Sequence, residues 1–489
     1  STTGFNQDAV FAKCYASLAL SGQQGATGQG DVDDIDEGQS SFYRITWYLN
    51  EFPTEEGWWI WANDPGHKDV LTHNWNGDNI LVKGLYYRLN INIRFCNHFL
   101  ARTEGLTDEK TIQQRAEVRF LRALYSWYLL DMFNLIPFNE KESSELPKFK
   151  TRPQMYEWLV QDLENLIKDL PEKRINQYRV DKYAAWLLLA RVYLNAEVYA
   201  GKEMWAEAKA TCEKIYGLGY ALAPTHAELF RGDNGENADA KKEMLFAASY
   251  DAENNQSYGG TTYLTLSTLS GDDGAINITG INGGWAGNRV PDHYVQTYFA
   301  PSAADFESGD YTIADKRGQY FYIKGRAQSM EGNLNTFLNG WSCIKYNNVP
   351  HDMDAVDYAA TAATKNFSDI DWPLIRLGEI HLIYAEACMH AGGDASAQVA
   401  ALAERAGVAA PAAIDADFLM AERARELMWE AHRRTDLIRY GKWISGYNWT
   451  FKGGNFGGQD LPAHFNVFPV PSTELATNLD LQQNPGYAR

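Results

Sequence analysis

Long hydrophobic runs are missing: nowhere in the 489 residues do about 20 apolar residues follow one another, the length a membrane-spanning helix needs. Basic runs are missing as well. With 44 Lys and Arg against 63 Asp and Glu the formal charge is −19, which argues against nucleic acid or an anionic membrane surface as a partner. Cysteine is scarce. Cys14, Cys96, Cys212, Cys343 and Cys388 are scattered and never paired as CxxC, so neither a disulfide framework nor a zinc site is suggested. Cys14, Cys212 and Cys388 fall in helix-like patterns and read as small core residues. The chain opens at Ser1-Thr-Thr-Gly-Phe5 without a basic-then-apolar leader, so it is either cytosolic or preceded by a processed segment. Catalytic signatures are equally sparse: there is no HExxH, no GxSxG, no GxxxxGK[ST] and no GxGxxG after a strand. His381 and His390 are nine apart and His293 and His432 isolated, which is not ligand spacing.

What remains is an ordinary globular composition, 45% hydrophobic and 22% charged, long enough for one extensive core or for two to four domains. Helical periodicity is strong at both ends. It covers residues 6–21, 78–100, 107–134, 153–170, 181–199 and 203–216, and returns at 373–391, 396–406 and 415–440, each segment stopped by Gly or Pro. Helix pairs with short links are how helical-repeat proteins bury faces that no pair could bury alone. Residues 218–372 differ: Gly, Asn, Asp, Ser, Thr and Tyr dominate, with short strand-like runs such as Met244 to Tyr250. An insertion this long and irregular usually carries function. Glu379, Glu386, Glu426 and Glu430 lie on helices, where solvation or pairing with Arg376, Arg423, Arg433 and Arg434 accounts for them.

Aromatic residues reach 13%, including 15 Trp and 28 Tyr. Three of those tryptophans, Trp58, Trp59 and Trp61, share the window Glu55 to Asp64, bounded by Pro53, Gly57 and Asp64-Pro65-Gly66. In an extended segment residues two apart share a face, which predicts that Trp59 and Trp61 present flat indoles beside Asn63 and Asp64. Flat apolar platforms beside hydrogen-bonding groups suit a sugar ring; the alternative is that these rings fill a core under the loop. Tyr258, in Ser257-Tyr-Gly-Gly-Thr-Thr-Tyr263, and Trp285, in Asn282-Gly-Gly-Trp-Ala-Gly287, are further platform candidates under the same alternative.

Four segments carry a family resemblance: Gln114-Arg-Ala-Glu-Val-Arg-Phe-Leu-Arg-Ala-Leu-Tyr125 with Asp131 to Pro137; Trp372-Pro-Leu-Ile-Arg-Leu-Gly-Glu379 running on to Ala387; Arg423-Ala-Arg-Glu-Leu-Met-Trp-Glu430 running on to Gly441; and Phe468-Pro-Val-Pro-Ser-Thr-Glu474 with Gln483-Asn-Pro-Gly-Tyr487. As a set, and over essentially the whole chain, these resemble the SusD/RagB family of outer-membrane glycan-binding lipoproteins. Asp36-Glu-Gly38, Phe42-Tyr-Arg44, Phe52-Pro-Thr54, Tyr258-Gly-Gly260 and Asn282-Gly-Gly-Trp285 are most similar to its starch-binding branch. The resemblance implies a mainly α fold and a single domain over 1–489. In it, a tetratricopeptide-like scaffold of four helix pairs occupies 1–217 and 373–441, and a loop-rich subregion with short strands occupies 218–372 and 442–489. It also implies cell-surface placement at the outer membrane through a lipidated cysteine upstream, and a SusC-like TonB-dependent transporter as partner.

Carried over, the glycan-binding arc is Trp59, Trp61 and Trp285 with Tyr258, while Arg44 and Asp36 supply polar contacts. Where the starch-binding branch has an asparagine three residues after its second Trp, this chain has Asp64, with Asn63 just before it. No cofactor is implied. The family can hold a structural calcium, but the acidic stretch Gly232-Asp-Asn-Gly-Glu-Asn237 has Gly235 where an acid is expected. The leading expectation is thus non-catalytic capture of starch or maltooligosaccharide. The others are the same role for dextran, xyloglucan or another glycan, a helical-repeat protein-binding scaffold, and a glycoside hydrolase, which needs only two well-separated carboxylates.

Overall fold

Most of the long helices begin at a side chain able to satisfy a first free amide. In the computed structural model, which describes residues 4–172, 174–332 and 335–489, Asn6 accepts from the Ala9 amide at the start of α1 (Gln7–Ala16). Ser41 caps α2 (Phe42–Glu51), Asn79 caps α3 (Ile80–Arg102) and Asp108 caps α4 (Glu109–Met132). A Thr151/Gln154 capping box opens α5 (Arg152–Leu166), and Asp181 caps α6 (Lys182–Leu194). After α7 (Trp205–Glu213) the chain leaves the helical array, returning only at α8 (Leu377–Ala391), which packs directly on α7. Two more helices, α9 (Ser396–Ala406) and α10 (Ala416–Glu426), rest on α8.

Successive helices from α3 to α8 each pack on the next, so the buried face of one is completed by its neighbour. This arrangement is consistent with the expected tetratricopeptide-like scaffold: α3/α4, α5/α6 and α7/α8 are packed pairs, while α9 and α10 both rest on α8 rather than forming a fourth pair. The third pair is split by the long insertion. Strands occur there in short antiparallel pairs: β1 (Trp58–Trp59) with β3 (Asn288–Arg289), and β2 (Met244–Ala248) with β4 (Trp372–Arg376). One contiguous core runs through both regions, from Phe11 and Leu189 to Phe246, Trp341 and Phe468. No helix among the described residues is long and apolar enough to cross a membrane.

Three expected helices differ from the structure, the one over 181–199 being divided at Asn195 between α6 and a short helix Ala196–Ala200. Residues 373–376 form β4 rather than the start of α8, because their backbone pairs with β2. The segment 415–440 is broken after Glu426 and resumes as α11 (Arg433–Arg439). Tertiary contacts impose the break. Trp429 (φ 59°) and Ala431 (φ 65°) take left-handed backbone conformations. In return the Trp429 indole N–H donates to the Glu56 carbonyl at 2.8 Å and the Ala431 amide to Glu51 at 2.7 Å.

The helix carboxylates pair with arginines but are buried rather than solvated, and of the four expected partners Arg376 meets them, whereas Arg423 pairs with Asp436, Arg433 with Glu55 and Arg434 with Asp131. Arg376 contacts Glu243 (2.9 Å), Glu426 (2.7 Å) and Glu430 (2.8 Å); Arg405 contacts Glu243 and Glu426, Arg317 contacts Glu422 and Glu426, and Lys345 contacts Glu430. Glu379 pairs with Arg191 and Glu386 with Arg439. Removing one partner of such a group leaves the others charged and unpaired in the interior, which costs about 3–5 kcal/mol. Arg376→Met is accordingly expected to lower the unfolding free energy by about that amount in guanidinium titrations. A change below about 1 kcal/mol would mean that the network is dispensable.

Candidate functional site

β1 carries the chain from the core to the surface in three residues. Trp58 and Trp59 pair with Arg289 and Asn288, the Ile60 amide donates to the Gly287 carbonyl at 2.7 Å, and a turn then closes with the Asp64 amide on the Trp61 carbonyl at 2.9 Å. The strand ends at Trp59, so the two-residue periodicity that would place Trp59 and Trp61 on one face does not extend to Trp61. Trp61 is 47% exposed and Trp59 only 3%. The expected platform role of Trp59 is therefore corrected: it is a core ring. It lies against Phe52, His67 and Tyr263 and its indole N–H donates to Asp64 Oδ2 at 3.0 Å. A side chain at Gly287 would meet the Trp59 ring at 2.3 Å, so this position has room only for glycine.

Exposed Trp61 and Phe337 and half-buried Trp285, Tyr258 and Phe367 form a contiguous arc drawn from distant segments. Trp61 donates its indole N–H to the Trp285 carbonyl at 3.2 Å and meets the partly exposed Phe337 edge-on, with ring centres 4.9 Å apart. Trp285 lies 6.0 Å from Tyr258, and Tyr258 lies 5.0 Å from Phe367. The Trp285 indole N–H and the Tyr258 hydroxyl have no hydrogen-bond partner among the described residues, and exposed Asn63 also keeps its amide free. None of five clefts of about 440 to 750 Å³ elsewhere on the molecule includes an arc residue.

Of the expected polar residues, Arg44 is 6% exposed and acts from beneath. Its Nη1 donates to the Tyr258 carbonyl at 2.8 Å, its Nε to the Tyr48 hydroxyl at 2.8 Å, and its guanidinium lies 4.3 Å from the Tyr263 ring centre and 5.5 Å from that of Trp285. This geometry makes it a prop for Tyr258 and Trp285. Asp36 is exposed and accepts from the Gln39 amide, while Asp64 is committed to Trp59. Three contributors were missed in the sequence. Buried Glu37 accepts from the Ser257 hydroxyl (2.9 Å) and the Tyr258 amide (3.2 Å), fixing the Tyr258 loop. Phe337 and Phe367 extend the arc at its two ends. Each is an isolated ring in a polar loop, the same signal that singled out Trp285.

The acidic stretch 232–237 does not fit a calcium ion. Asp233 accepts from both the amide and the ring of His351 (2.9 and 2.5 Å), and the Gly235 carbonyl accepts from Gln177 at 2.7 Å. Asn234 is bound to the Leu229 and Asp371 backbones. A side chain at Gly235 would meet Asp371 Oδ2 at 2.1 Å, so the Asp371 carboxyl, hydrogen-bonded by the Tyr178 hydroxyl at 2.6 Å, occupies that space. Among the described residues the cluster of side-chain ligands is Asp233, His351 and Asp352, one nitrogen and two carboxylates where calcium takes six to eight oxygens.

The sequence profile of the SusD family matches residues 242–487. Over 99% of its length the chain is 34% identical to the starch-binding protein SusD of Bacteroides thetaiotaomicron, 92% of which is covered. Among solved structures, surface glycan-binding protein A from Bacteroides thetaiotaomicron, in complex with laminarihexaose, superposes with a TM-score of 0.74 at 18% identity over 98% of both chains. A SusD superfamily protein from Parabacteroides distasonis gives 0.73 at 21% identity, again over 98% of both. The two structural likenesses are likenesses of fold.

Two outcomes follow from the placement of these groups. Trp59→Ala is expected to cost about 3–5 kcal/mol of stability, as large-to-small core changes do, whereas Trp61→Ala stays within about 0.5 kcal/mol; equal effects would contradict the placement of the two rings. Burial pushes the Asp371 carboxyl up to about 7, from 3.8 in the unfolded chain. The folded state thus binds the extra proton between those values, so stability from this group falls as pH rises through that window, by up to about 4 kcal/mol in all. Asp371→Asn should flatten the pH dependence of urea unfolding between about pH 4 and 7; an unchanged slope would place the titration elsewhere.

Proposed function

The chain belongs to the SusD family, and from that premise we propose that it captures a neutral glycan at the cell surface, without cleaving it, by stacking sugar faces on the arc of Trp61, Trp285 and Tyr258. The observation that carries this reading is the arc itself: exposed Trp61 adjoining half-buried Trp285 and Tyr258, beside a free indole N–H, a free phenol and a free amide. Sugar rings have apolar faces and hydroxyl rims, and this surface complements both. The −19 charge suits a neutral ligand rather than a polyanion. An α-1,4 glucan curves, so starch or maltooligosaccharide follows an arc better than the flat ribbon of a β-1,4 glucan does. The 34% identity to a starch-binding protein supports the same choice.

In this reading the protein sits at the outer membrane, held by a lipid anchor, and passes its ligand to a SusC-like TonB-dependent transporter. Stacking of a planar ring on an aromatic contributes about 1–3 kcal/mol in the analogous case of nucleic-acid bases. Three such platforms, less the cost of ordering the ligand, give dissociation constants from about millimolar to micromolar. Binding of that strength is reversible, as delivery requires.

The test is calorimetry with maltoheptaose, laminarihexaose, dextran and xyloglucan oligosaccharides, alongside a reducing-end assay on amylopectin. Trp61→Ala, Trp285→Ala and Tyr258→Ala are each expected to weaken maltoheptaose binding by about 5- to 100-fold. Unchanged affinity in all three rejects the arc. Tighter binding of laminarihexaose reassigns the glycan, and release of reducing ends rejects the non-catalytic reading.

A further inference from the structure

Phe337 reaches the arc on a loop of its own. The stem of that loop meets the stem of the Trp285 loop at one antiparallel bridge, Val290 with Trp341, where each amide donates to the other's carbonyl at 2.7 and 3.2 Å. Beyond the bridge the two backbones part. Among the described residues no backbone hydrogen bond joins 282–289 to 335–340. The Trp285 loop is fixed from beneath, the amides of Trp285, Ala286 and Asn288 donating to the carbonyls of Leu266 (2.7 Å), Leu269 (3.3 Å) and Ser267 (2.8 Å). The Phe337 loop closes on its own other limb instead: the Ala327 amide donates to the Leu338 carbonyl at 2.9 Å and the Gly340 amide to the Ala327 carbonyl at 2.8 Å.

The side chain of Arg289, on β3 and 1% exposed, spans the gap. Its Nη1 donates to the Ala286 (2.7 Å) and Asn288 (2.9 Å) carbonyls, its Nε to the Asn339 carbonyl (3.0 Å) and its Nη2 to the Phe337 carbonyl (3.2 Å). A planar fork of donors holds two backbones at once, which a single ammonium does not. All four acceptors are neutral. Burial and the like charge of Arg326 push the Arg289 pKa well down, against a weaker opposing pull from Asp273, so a cation is kept here against a desolvation penalty. The geometric return is a Phe337 loop fastened to a Trp285 loop that is already fixed.

The fastened loop presents an apolar surface, Phe337 at 39% exposure and Leu338 at 67%. The Phe337 ring plane is turned 68° from that of Trp61, and the Trp285 and Tyr258 planes are turned 46° from each other. Adjoining platforms inclined in this way suit a chain that bends between successive sugars, whereas a flat ribbon would need near-parallel ones. We propose that Phe337 is a further glycan-stacking ring, next to Trp61 at that end of the arc, and that Arg289 is the residue that positions it. This inference rests on the capture reading and adds a subsite to it. Arg289 meets no sugar and acts through the Phe337 backbone.

The test is calorimetry of the full chain with maltoheptaose, laminarihexaose, dextran and xyloglucan oligosaccharides, read on whichever the unsubstituted chain binds most tightly, with circular dichroism melting to verify the fold. Phe337→Ala is expected to weaken binding about fivefold or more, and Phe337→Trp, which keeps a flat ring, to stay within about twofold of the unsubstituted chain or above it. Arg289→Gln should weaken binding to a similar extent alone and not at all in a Phe337→Ala background, because a residue that acts only through that ring then has nothing to position. If Arg289→Gln does not fold, Arg289→Lys, which keeps the charge without the fork, takes its place in the cycle. Binding weakened by Trp61→Ala but unmoved by Phe337→Ala overturns the subsite and leaves the capture reading standing. Additive losses from the Arg289 and Phe337 substitutions overturn the positioning role. No binding of any of the four by the unsubstituted chain defeats the capture reading and the subsite with it.

Discussion

The structure turns on a buried knot of charge. Arg376, at the end of β4, grips Glu243 on the insertion side and Glu426 and Glu430 on the scaffold side, while Arg405, Arg317 and Lys345 satisfy the remaining carboxylate oxygens. Burial alone would raise the Glu426 pKa, yet Arg405, Arg376 and Arg317 together hold it well below the usual carboxylate range. Burying ions is costly, so such a knot is poor evidence of net stabilisation. Its consequence is geometric. Shifting the insertion on the helices would separate these partners and leave charges unpaired in the interior. Docking in one geometry is what allows rings from residues 61, 258, 285, 337 and 367 to form one surface.

A second set of ties fixes the segment that carries Trp61. Glu55 is bound to Arg433 at 2.6 Å, Glu51 accepts from the Ala431 amide, and Glu56 accepts from the Trp429 amide at 3.2 Å. Burial raises the pKa of both Glu51 and Glu56, that of Glu56 to about 7. The left-handed conformations at Trp429 and Ala431 direct those amides at the two acids. Thus the break in the helix after Glu426 and the course of residues 51–61 are one feature. The chain emerges at Trp61 with little freedom left.

Much of this was legible in the sequence, and for identifiable reasons. Stripes such as Leu159, Leu163 and Leu166 ending before Pro171 are local signals that tertiary packing reinforced. The helix over 415–440 failed because its interruption rests on partners nearly 380 residues away, Glu51 and Glu56, which no local pattern reveals. Pairing of the helix acids with arginines was legible, but their burial was not, since charge spacing is the same for an exposed face and for one covered by an insertion. At the arc, Trp61 was found through a window of three tryptophans bounded by turn residues, and Tyr258 and Trp285 as rings among small and polar residues. Trp59 was misplaced because its outward face depended on a strand that stops at that residue, one bend before Trp61. Glu37 escaped notice because its neighbour Asp36 carried the family pattern, while burial gave Glu37 the hydrogen bonds to the Tyr258 loop.

The supports under the arc bear on how binding would work. Tyr258 is held by Glu37 through its amide and by Arg44 through its carbonyl, and the Trp285 carbonyl is held by the Trp61 indole. Every one of these contacts uses a group that faces away from a stacked ligand. The faces of the rings, the Trp285 N–H and the Tyr258 hydroxyl remain unspent. Backbone positions fixed in this way mean that a ligand does not have to organise the rings as it arrives, and its affinity reflects contact less the ligand's own ordering. The same arrangement separates two kinds of change. Substituting a supporting group such as Glu37 moves a ring and alters the curvature that the arc offers. Substituting a ring removes one platform and leaves the curvature of the others intact. Since all the supports but Trp61 are buried while the rings sit on loops, ligand choice can drift by exchanging rings without disturbing the core that positions them.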